Sequence, residues 1–200
     1  MPKARRLQRL LVRFRDDPLS VGERAVHLAR AHLLFRRCQL EEAVSAAGRV
    51  RVRAQGVIRL RQGVSFAGGM LATELISHPG AALEVGEDTF VNYGVSLEAH
   101  DTVRIGRRCL LASFVRIADR DAQRSGPVII EDDVWLAHGV IVEPGVTIGA
   151  GSVVSAGSVV TEDVPGGCLA SGNPAKCARL TAGGFRGAER SKEWLSSSAS

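Results

Sequence analysis

Between Ile130 and Val160 every sixth residue is aliphatic: Ile130, Leu136, Val142, Ile148, Val154 and Val160. Four positions after each stands a small or β-branched residue, namely Val134, Val140, Val146, Ser152, Ser158 and Val164. Upstream the spacing runs through Val85, Val91 and Leu97, slips by two residues, and resumes at Ile105, Leu111 and Ile117. A fainter set, Val52, Ile58, Val64, Met70 and Ile76, precedes these. An amphipathic helix repeats at about 3.6 residues and a half-buried strand at about 2, so neither produces this period. A chain that makes a short strand and then a corner in each unit does, and three units close a triangular coil of about 18 residues. The aliphatic residue of every unit then points inward. Gly145, Gly149, Gly151 and Gly157 suit corners too tight for a side chain. Stacked coils pair strand to strand, so backbone groups are satisfied along the axis. From Val50 to Pro165 there is chain for about six coils.

The first third follows a different pattern. Leu7, Leu10, Leu11 and Phe14 stand at helical spacing, with Arg6, Arg9, Arg13 and Arg15 mostly on the other side. Asp16-Asp17-Pro18 interrupts them, and Ser20-Val21-Gly22-Glu23 reads as a capping box. The helix it opens is expected to run to about Ala47 and stop at Gly48, with Val21, Val26, Leu33 and Leu34 among its apolar positions. His27 and His32 do not share a face as metal ligands usually do, and they read as ordinary helix residues. The expected organisation is a basic helical segment over 1–48, an all-β coiled domain over 49–165, and a C-terminal segment and flexible tail over 166–200.

Charge sharpens this division. Residues 1–62 hold 15 Lys/Arg against 5 Asp/Glu, whereas 63–200 hold 11 against 16, so the net +5 hides a basic head on an acidic body. Nucleic-acid binding is disfavoured, because no recognition motif is present and aromatics at 4% are too few for base stacking. The basic amphipathic segment either packs its Leu face on the body or makes peripheral contact with an anionic membrane through residues 1–15. No apolar run approaches the roughly 18 residues needed to cross a bilayer, and arginines interrupt any signal-peptide core, so the expected location is cytoplasmic, with the inner membrane face as the peripheral site. Cys38, Cys109, Cys168 and Cys177 form no CxxC pair, which disfavours a zinc ribbon or a disulfide scaffold.

The run of hexads resembles the left-handed parallel β-helix of the hexapeptide-repeat acyltransferases, an exception to right-handed parallel crossovers. Ile130-Glu-Asp-Asp-Val-Trp135, Pro144-Gly-Val-Thr-Ile-Gly149, Gly157-Ser-Val-Val-Thr161, Gly172-Asn-Pro-Ala-Lys176 and Phe90-Val-Asn92-Tyr-Gly are similar to the galactoside, maltose and xenobiotic acetyltransferases and the capsular or lipopolysaccharide O-acetyltransferases. The resemblance implies a homotrimer that binds acetyl-CoA, or another acyl-CoA, in a groove between adjacent β-helices and acylates a hydroxyl of a sugar or other small-molecule or glycan acceptor. A base takes the hydroxyl proton, the oxygen attacks the thioester, and a backbone N–H holds the oxyanion. That chemistry needs no metal, and none is expected. By the same resemblance Trp135 lies beside the acetyl group and pantetheine, the His138 backbone amide faces the thioester oxygen, and Ala156 and Gly157 meet the pantetheine arm. Lys176 and Arg179 meet the CoA phosphates, and Asn92 orients the base or the acceptor.

One departure stands out. The family carries its catalytic histidine in a loop leaving the coil, and the corresponding loop here, Ile117 to Pro127, contains none. Arg120 or Ala122 occupies the place, and arginine, with a pKa above about 12, is no base near neutrality. Three replacements remain open: His138; His100 with Glu98 or Asp101 as its orienter; or Asp119 or Asp121 with a raised pKa. The alternative to an enzyme is a non-catalytic scaffold or CoA-binding pseudoenzyme. A zinc enzyme on the same coil needs three converging histidines. Only His78, His100 and His138 are available in the coil, and no two are close in sequence.

Overall fold

The computed structural model describes residues 18–179. Helix α1 (Pro18–Leu34) is followed by twenty short strands, β1 (Gln39–Leu40) to β20 (Ala175–Arg179). They sort into three sheets. The first stacks Gln39–Leu40, Val57–Leu60, Ala82–Val85, Thr102–Ile105, Val128–Ile130 and Thr147–Ile148 in parallel. The second runs from Ser45–Ala46 through Ser65–Phe66, Phe90–Val91, Leu110–Leu111, Trp135–Leu136 and Val153–Val154 to a closing antiparallel hairpin, Cys168–Gly172 with Ala175–Arg179. The third stacks Val50–Ala54, Thr73–Ser77, Ser96–Ala99, Arg116–Ala118, Ile141–Val142 and Val159–Val160. The chain visits the three sheets in turn, which makes the three-sided parallel coil of about six turns that the six-residue period requires.

The register explains the period. Leu60, Val85, Ile105, Ile130 and Ile148 stack on one side of the interior, and Phe66, Val91, Leu111, Leu136 and Val154 on the second. Leu75, Leu97, Ile117, Val142 and Val160 form the third row. None of the fifteen is more than 2% exposed. Each such side chain contributes about 1.5–3 kcal/mol by leaving water, so the rows dominate the stability of the fold. At the corners Gly157 takes a φ of 69°, and a Cβ at Gly149 would lie 2.4 Å from the backbone nitrogen of Gly166.

Three expectations need correction. The faint N-terminal set is out of phase. Ile58 and Val64 are buried, but they stand two residues before the true row positions Leu60 and Phe66, while Met70 is 74% exposed and Ile76 half-buried. Inward residues come in pairs two apart, and the insertion around Gly68–Leu71 shifts the phase, so Leu75 enters the core instead. Helix α1 ends at Leu34, not near Ala47, and opens at Pro18, so Ser20 lies inside it. Helical propensity gives way there to tertiary pairing: Leu40 and Ala46 align with Leu60 and Phe66 as the first coil, which starts at Gln39. The helix packs through Ala31 and Leu34, and Phe35 just beyond it meets Phe66 with ring centroids 5.1 Å apart. Val26 and Leu33 are exposed. The arginine-rich segment over 1–15 and the tail after Arg179 lie outside the described residues. No helix among the described residues is long and apolar enough to cross a membrane.

Buried polar side chains are few, and most are paired. Thr89 donates to the Gly106 carbonyl and accepts from the Cys109 N–H, and Ser152 links the Pro165 carbonyl to the Cys168 N–H. Asp119, 1% exposed, is the one carboxylate among the buried polar residues described. Its oxygens accept the backbone N–H groups of His100 at 2.7 Å, Asp101 at 2.7 Å and Thr102 at 2.6 Å, closing the corner between the third and first sheets.

Leu97→Ala opens a cavity between Leu75 and Ile117 and is expected to lower unfolding stability by about 2–5 kcal/mol in urea titration. Asp119→Ala leaves three backbone donors without their acceptor and should destabilise by at least about 3 kcal/mol in the same titration. A change below about 1 kcal/mol in the latter would mean that water replaces the carboxylate at that corner.

Candidate functional site

The corner between the second and third sheets collects most of the predicted site residues. Trp135 opens a strand of the second sheet, and His138 follows three residues later at the corner. One coil onward, the Gly157 N–H donates to the His138 carbonyl at 2.8 Å, which places Ala156 directly over His138. His138 is exposed, and its Nδ1 is 3.1 Å from Ser113 Oγ on the preceding coil. In the tautomer that donates Nδ1–H to the serine, Nε2 keeps its lone pair free. The backbone N–H groups of His138 and Ala156 have no acceptor among the described residues. Phe114 lies edge-on to the His138 ring at 5.2 Å, and Tyr93 edge-on to Phe114 at 5.5 Å. Phe114 takes a φ of 62°, where the stacked corners use Gly94, Gly139 and Gly157. A bulky residue held in the left-handed region is strained, and strain of this kind concentrates at functional sites.

From this corner an apolar row runs across the outer face of the second sheet. Phe90, Leu110, Trp135, Val153 and Leu169 stand in register. Phe90 and Leu110 remain 38% and 37% exposed. The Trp135 indole N–H is buried with no acceptor among the described residues, an uncommon condition for such a donor. The row ends at the hairpin of Cys168–Gly172 with Ala175–Arg179, where Leu169 pairs with Ala178 and Ser171 with Lys176. Paired residues of an antiparallel ladder share a face and alternate along the strand. Lys176 therefore shares the face of the apolar row, while Arg179, three residues on, lies on the other face. Both are exposed.

The remaining candidates separate. Asn92 is at the His138 corner but two coils lower, and its Oδ1 accepts the Tyr93 N–H at 2.8 Å. His100 is at a different corner, between the third and first sheets, where its Nε2 lies 3.2 Å from Glu98 Oε1. Of its two proposed orienters Glu98 is the one in contact. The aspartates are engaged otherwise. Asp119 is the buried cap already described, with no face for a substrate. Asp121 caps its own loop, and the backbone N–H groups of Gln123 and Arg124 hold its carboxyl below the usual aspartate range. Arg124 anchors the loop to Glu143 at 2.8 Å. Burial pushes the Cys38 and Cys109 thiols up to about 11, which suits neither to act as a nucleophile.

Two contacts were not legible beforehand. Ser113 precedes His138 by 25 residues because the loop lengthens that coil, so an 18-residue ruler misses the pair. His78 and His100, 22 residues apart, stack face to face with ring centroids 3.8 Å apart. The two-residue slip follows Leu97 and does not produce that offset, which comes from the longer corner between Leu75 and Val85.

A family model described as bacterial transferase hexapeptide (six repeats) matches residues 127–162. Over 111 residues the chain is 40% identical to a Schizosaccharomyces pombe protein inferred to be an acetyltransferase, covering 50% of this chain and 54% of that protein. It is 32% identical to the galactoside O-acetyltransferase of Escherichia coli, again over 111 residues, covering 50% and 55%. The match thus spans about half the length of these curated relatives. Among solved structures, the polySia-specific acetyltransferase NeuO superposes with a TM-score of 0.61 at 27% identity, covering 71% of this chain and 65% of that one. The polysialic acid O-acetyltransferase OatWY, at 22% identity and a TM-score of 0.55 over 70% of this chain and 72% of that one, shares the fold. The six-residue period and the three-sided coil it builds are thus shared with the hexapeptide repeats matched over 127–162 and, over about half the chain, with these acetyltransferases.

Proposed function

We propose that the chain is an acyl-CoA-dependent O-acyltransferase that moves an acetyl group from acetyl-CoA to a hydroxyl of a sugar or similarly hydroxylated acceptor. The observation that carries this reading is the apolar row with a cation at its end: Phe90, Leu110, Trp135, Val153 and Leu169, then Lys176 on the same face. A long ligand with an apolar, amide-bearing arm and a phosphate terminus matches it. Pantetheine carbonyls supply the acceptor that the Trp135 indole N–H lacks, and phosphates suit a lysine on an otherwise acidic body. The named relatives act as acetyltransferases, among them a galactoside O-acetyltransferase and the polySia-specific NeuO.

In this mechanism His138 is the base. Its Nε2 takes the acceptor proton as the hydroxyl oxygen attacks the thioester carbon. The developing oxyanion is met by the unpartnered backbone N–H of His138, with Ala156 and Gly157 fixing the arm on the next coil. Collapse of the tetrahedral intermediate breaks the C–S bond, and the proton held on His138 passes to the departing CoA sulfur. Ser113 orients the imidazole through Nδ1. Asn92, two coils lower, contacts the acceptor rather than the base. Arg179, on the opposite face of the hairpin, meets the outermost phosphate or none. A homotrimer would set a neighbouring subunit against the lower end of the row at Phe90 and Leu110 and so wall the groove in which the ligand runs from Trp135 to Lys176, and peripheral membrane contact would reside in residues 1–15.

Acetyl-CoA at about 100 times its dissociation constant should stabilise the folded chain by roughly 2.7 kcal/mol, read as a raised thermal midpoint. Lys176→Ala is expected to weaken that shift at a fixed sub-saturating concentration. No shift at millimolar acetyl-CoA would remove the donor assignment. His138→Ala should slow acceptor-dependent release of CoA thiol by about 10²–10⁴-fold while retaining the acetyl-CoA shift. Stabilisation by acetyl-CoA with no thiol release across a panel of sugars would favour the CoA-binding pseudoenzyme, the reading that the histidine-free loop supports.

A further inference from the structure

At the corner between the third and first sheets, away from His138, three metal-ligating groups converge. The His78 N–H donates to the Ala99 carbonyl at 2.9 Å, which brings His78 into register with His100 on the next coil. The two rings stack at 3.8 Å and 11°. Glu98 stands two residues before His100 and so on the same side of the strand. Its Oε1 lies 2.8 Å from His78 Nε2 and 3.2 Å from His100 Nε2, and no hydrogen bond is made to Oε2 among the described residues. The three ligand atoms fall within 4.8 Å of one another. Their side chains are 34%, 34% and 24% exposed for His78, Glu98 and His100, which leaves the cluster partly desolvated yet open on one side.

We propose that His78, Glu98 and His100 bind one divalent transition-metal ion, with Zn²⁺ the first to test. Two imidazoles and a carboxylate suit borderline ions such as Zn²⁺, whereas Mg²⁺ and Ca²⁺ favour oxygen throughout. Zinc–ligand bonds of about 2.0–2.1 Å at tetrahedral angles put ligand atoms about 3.3–3.4 Å apart. The carboxylate oxygen stands 2.8 and 3.2 Å from the two nitrogens, so the ion takes the place of the two Nε2 contacts to Glu98, each neutral imidazole shifts its single proton from Nε2 to Nδ1, and the stacked rings fan slightly. That tautomer frees Nε2 for the metal. The site is held in advance: Asp119, buried below it, takes the N–H groups of His100, Asp101 and Thr102 and fixes the turn that carries one ligand. Three protein ligands leave at least one coordination position open. Glu98 also lines a cleft of about 330 Å³ with Arg116, Arg120, Asp121 and Glu143 beneath the 119–127 loop, so the ion lies at that cleft's edge. The site is independent of acyl transfer, which needs no metal and is assigned to the other corner.

The test is metal binding by the full chain, stripped with chelator, equilibrated with Zn²⁺ and desalted. One tightly held ion per chain by elemental analysis is expected, with a raised thermal midpoint. His78→Ala, His100→Ala and Glu98→Gln should each weaken binding at least about tenfold. Co²⁺ in place of Zn²⁺ should give the visible bands of a four- or five-coordinate ion without thiolate charge transfer, which separates this site from the cysteines. Retention of no ion by the wild-type chain, or equal retention by the His78→Ala/His100→Ala double variant, would overturn the proposal. Should the double variant unfold by circular dichroism, Glu98→Gln, isosteric and still able to meet one imidazole, decides the matter by the same two readouts.

Discussion

Everything in this molecule depends on the parallel stacking of identical inward positions. A three-sided coil has an interior wide enough for one layer of aliphatic side chains, and each layer is roofed by the next. Leu60, Val85, Ile105, Ile130 and Ile148 illustrate this on one side, each in register with its neighbours above and below. A polar residue in such a row has no route to water, and a one-residue slip exchanges inside for outside along the whole strand. The rows therefore hold the period at six wherever strands are formed, and insertions are confined to corners.

That confinement is what creates places for chemistry. The corner between the second and third sheets presents outward backbone N–H groups, the His138–Ser113 contact and a strained Phe114, beside an outer face that is apolar where most solvent-facing strands would be charged. The corner between the third and first sheets carries the 119–127 loop, the buried Asp119 cap and the His78–Glu98–His100 cluster. A rigid coil separates the two corners by the width of a sheet, so groups at one cannot assist reaction at the other within the same chain. His138 and His100 are thus alternatives in sequence but occupants of different sites in space.

The first sheet shows the contrast with a plain solvated face. Its outward residues are held by exposed ion pairs such as Arg61 with Glu41 and Glu84, and neighbouring corners by Arg107 with Asp132 and Arg108 with Asp133. Guanidinium neighbours hold the Asp132 and Asp133 carboxyls below the usual aspartate range. Exposed pairs of this kind contribute little stability each. They mark a surface that is satisfied as it stands, whereas the Trp135 row and its unpartnered indole N–H are not.

The sequence by itself determined the coil, because inward burial imposes a period that neither helix nor open sheet shares, and six matched hexads after Ile130 leave no other reading. The resemblance grouped Trp135, His138, Ala156 and Gly157, and the regular 18-residue coil there stacks Ala156 over His138, because spacing converts directly to position where no corner is lengthened. Tertiary structure decided the rest. Leu40 and Ala46 became strands through pairing with Leu60 and Phe66, against local helical preference. Lys176 and Arg179 parted to opposite faces by the parity of the hairpin. Ser113 met His138, and His78 met His100, across coils lengthened at their corners, where sequence distance no longer measures spatial distance. Asp119 became a structural cap because its oxygens face three backbone donors, a fact of where the next coil lies rather than of the residue.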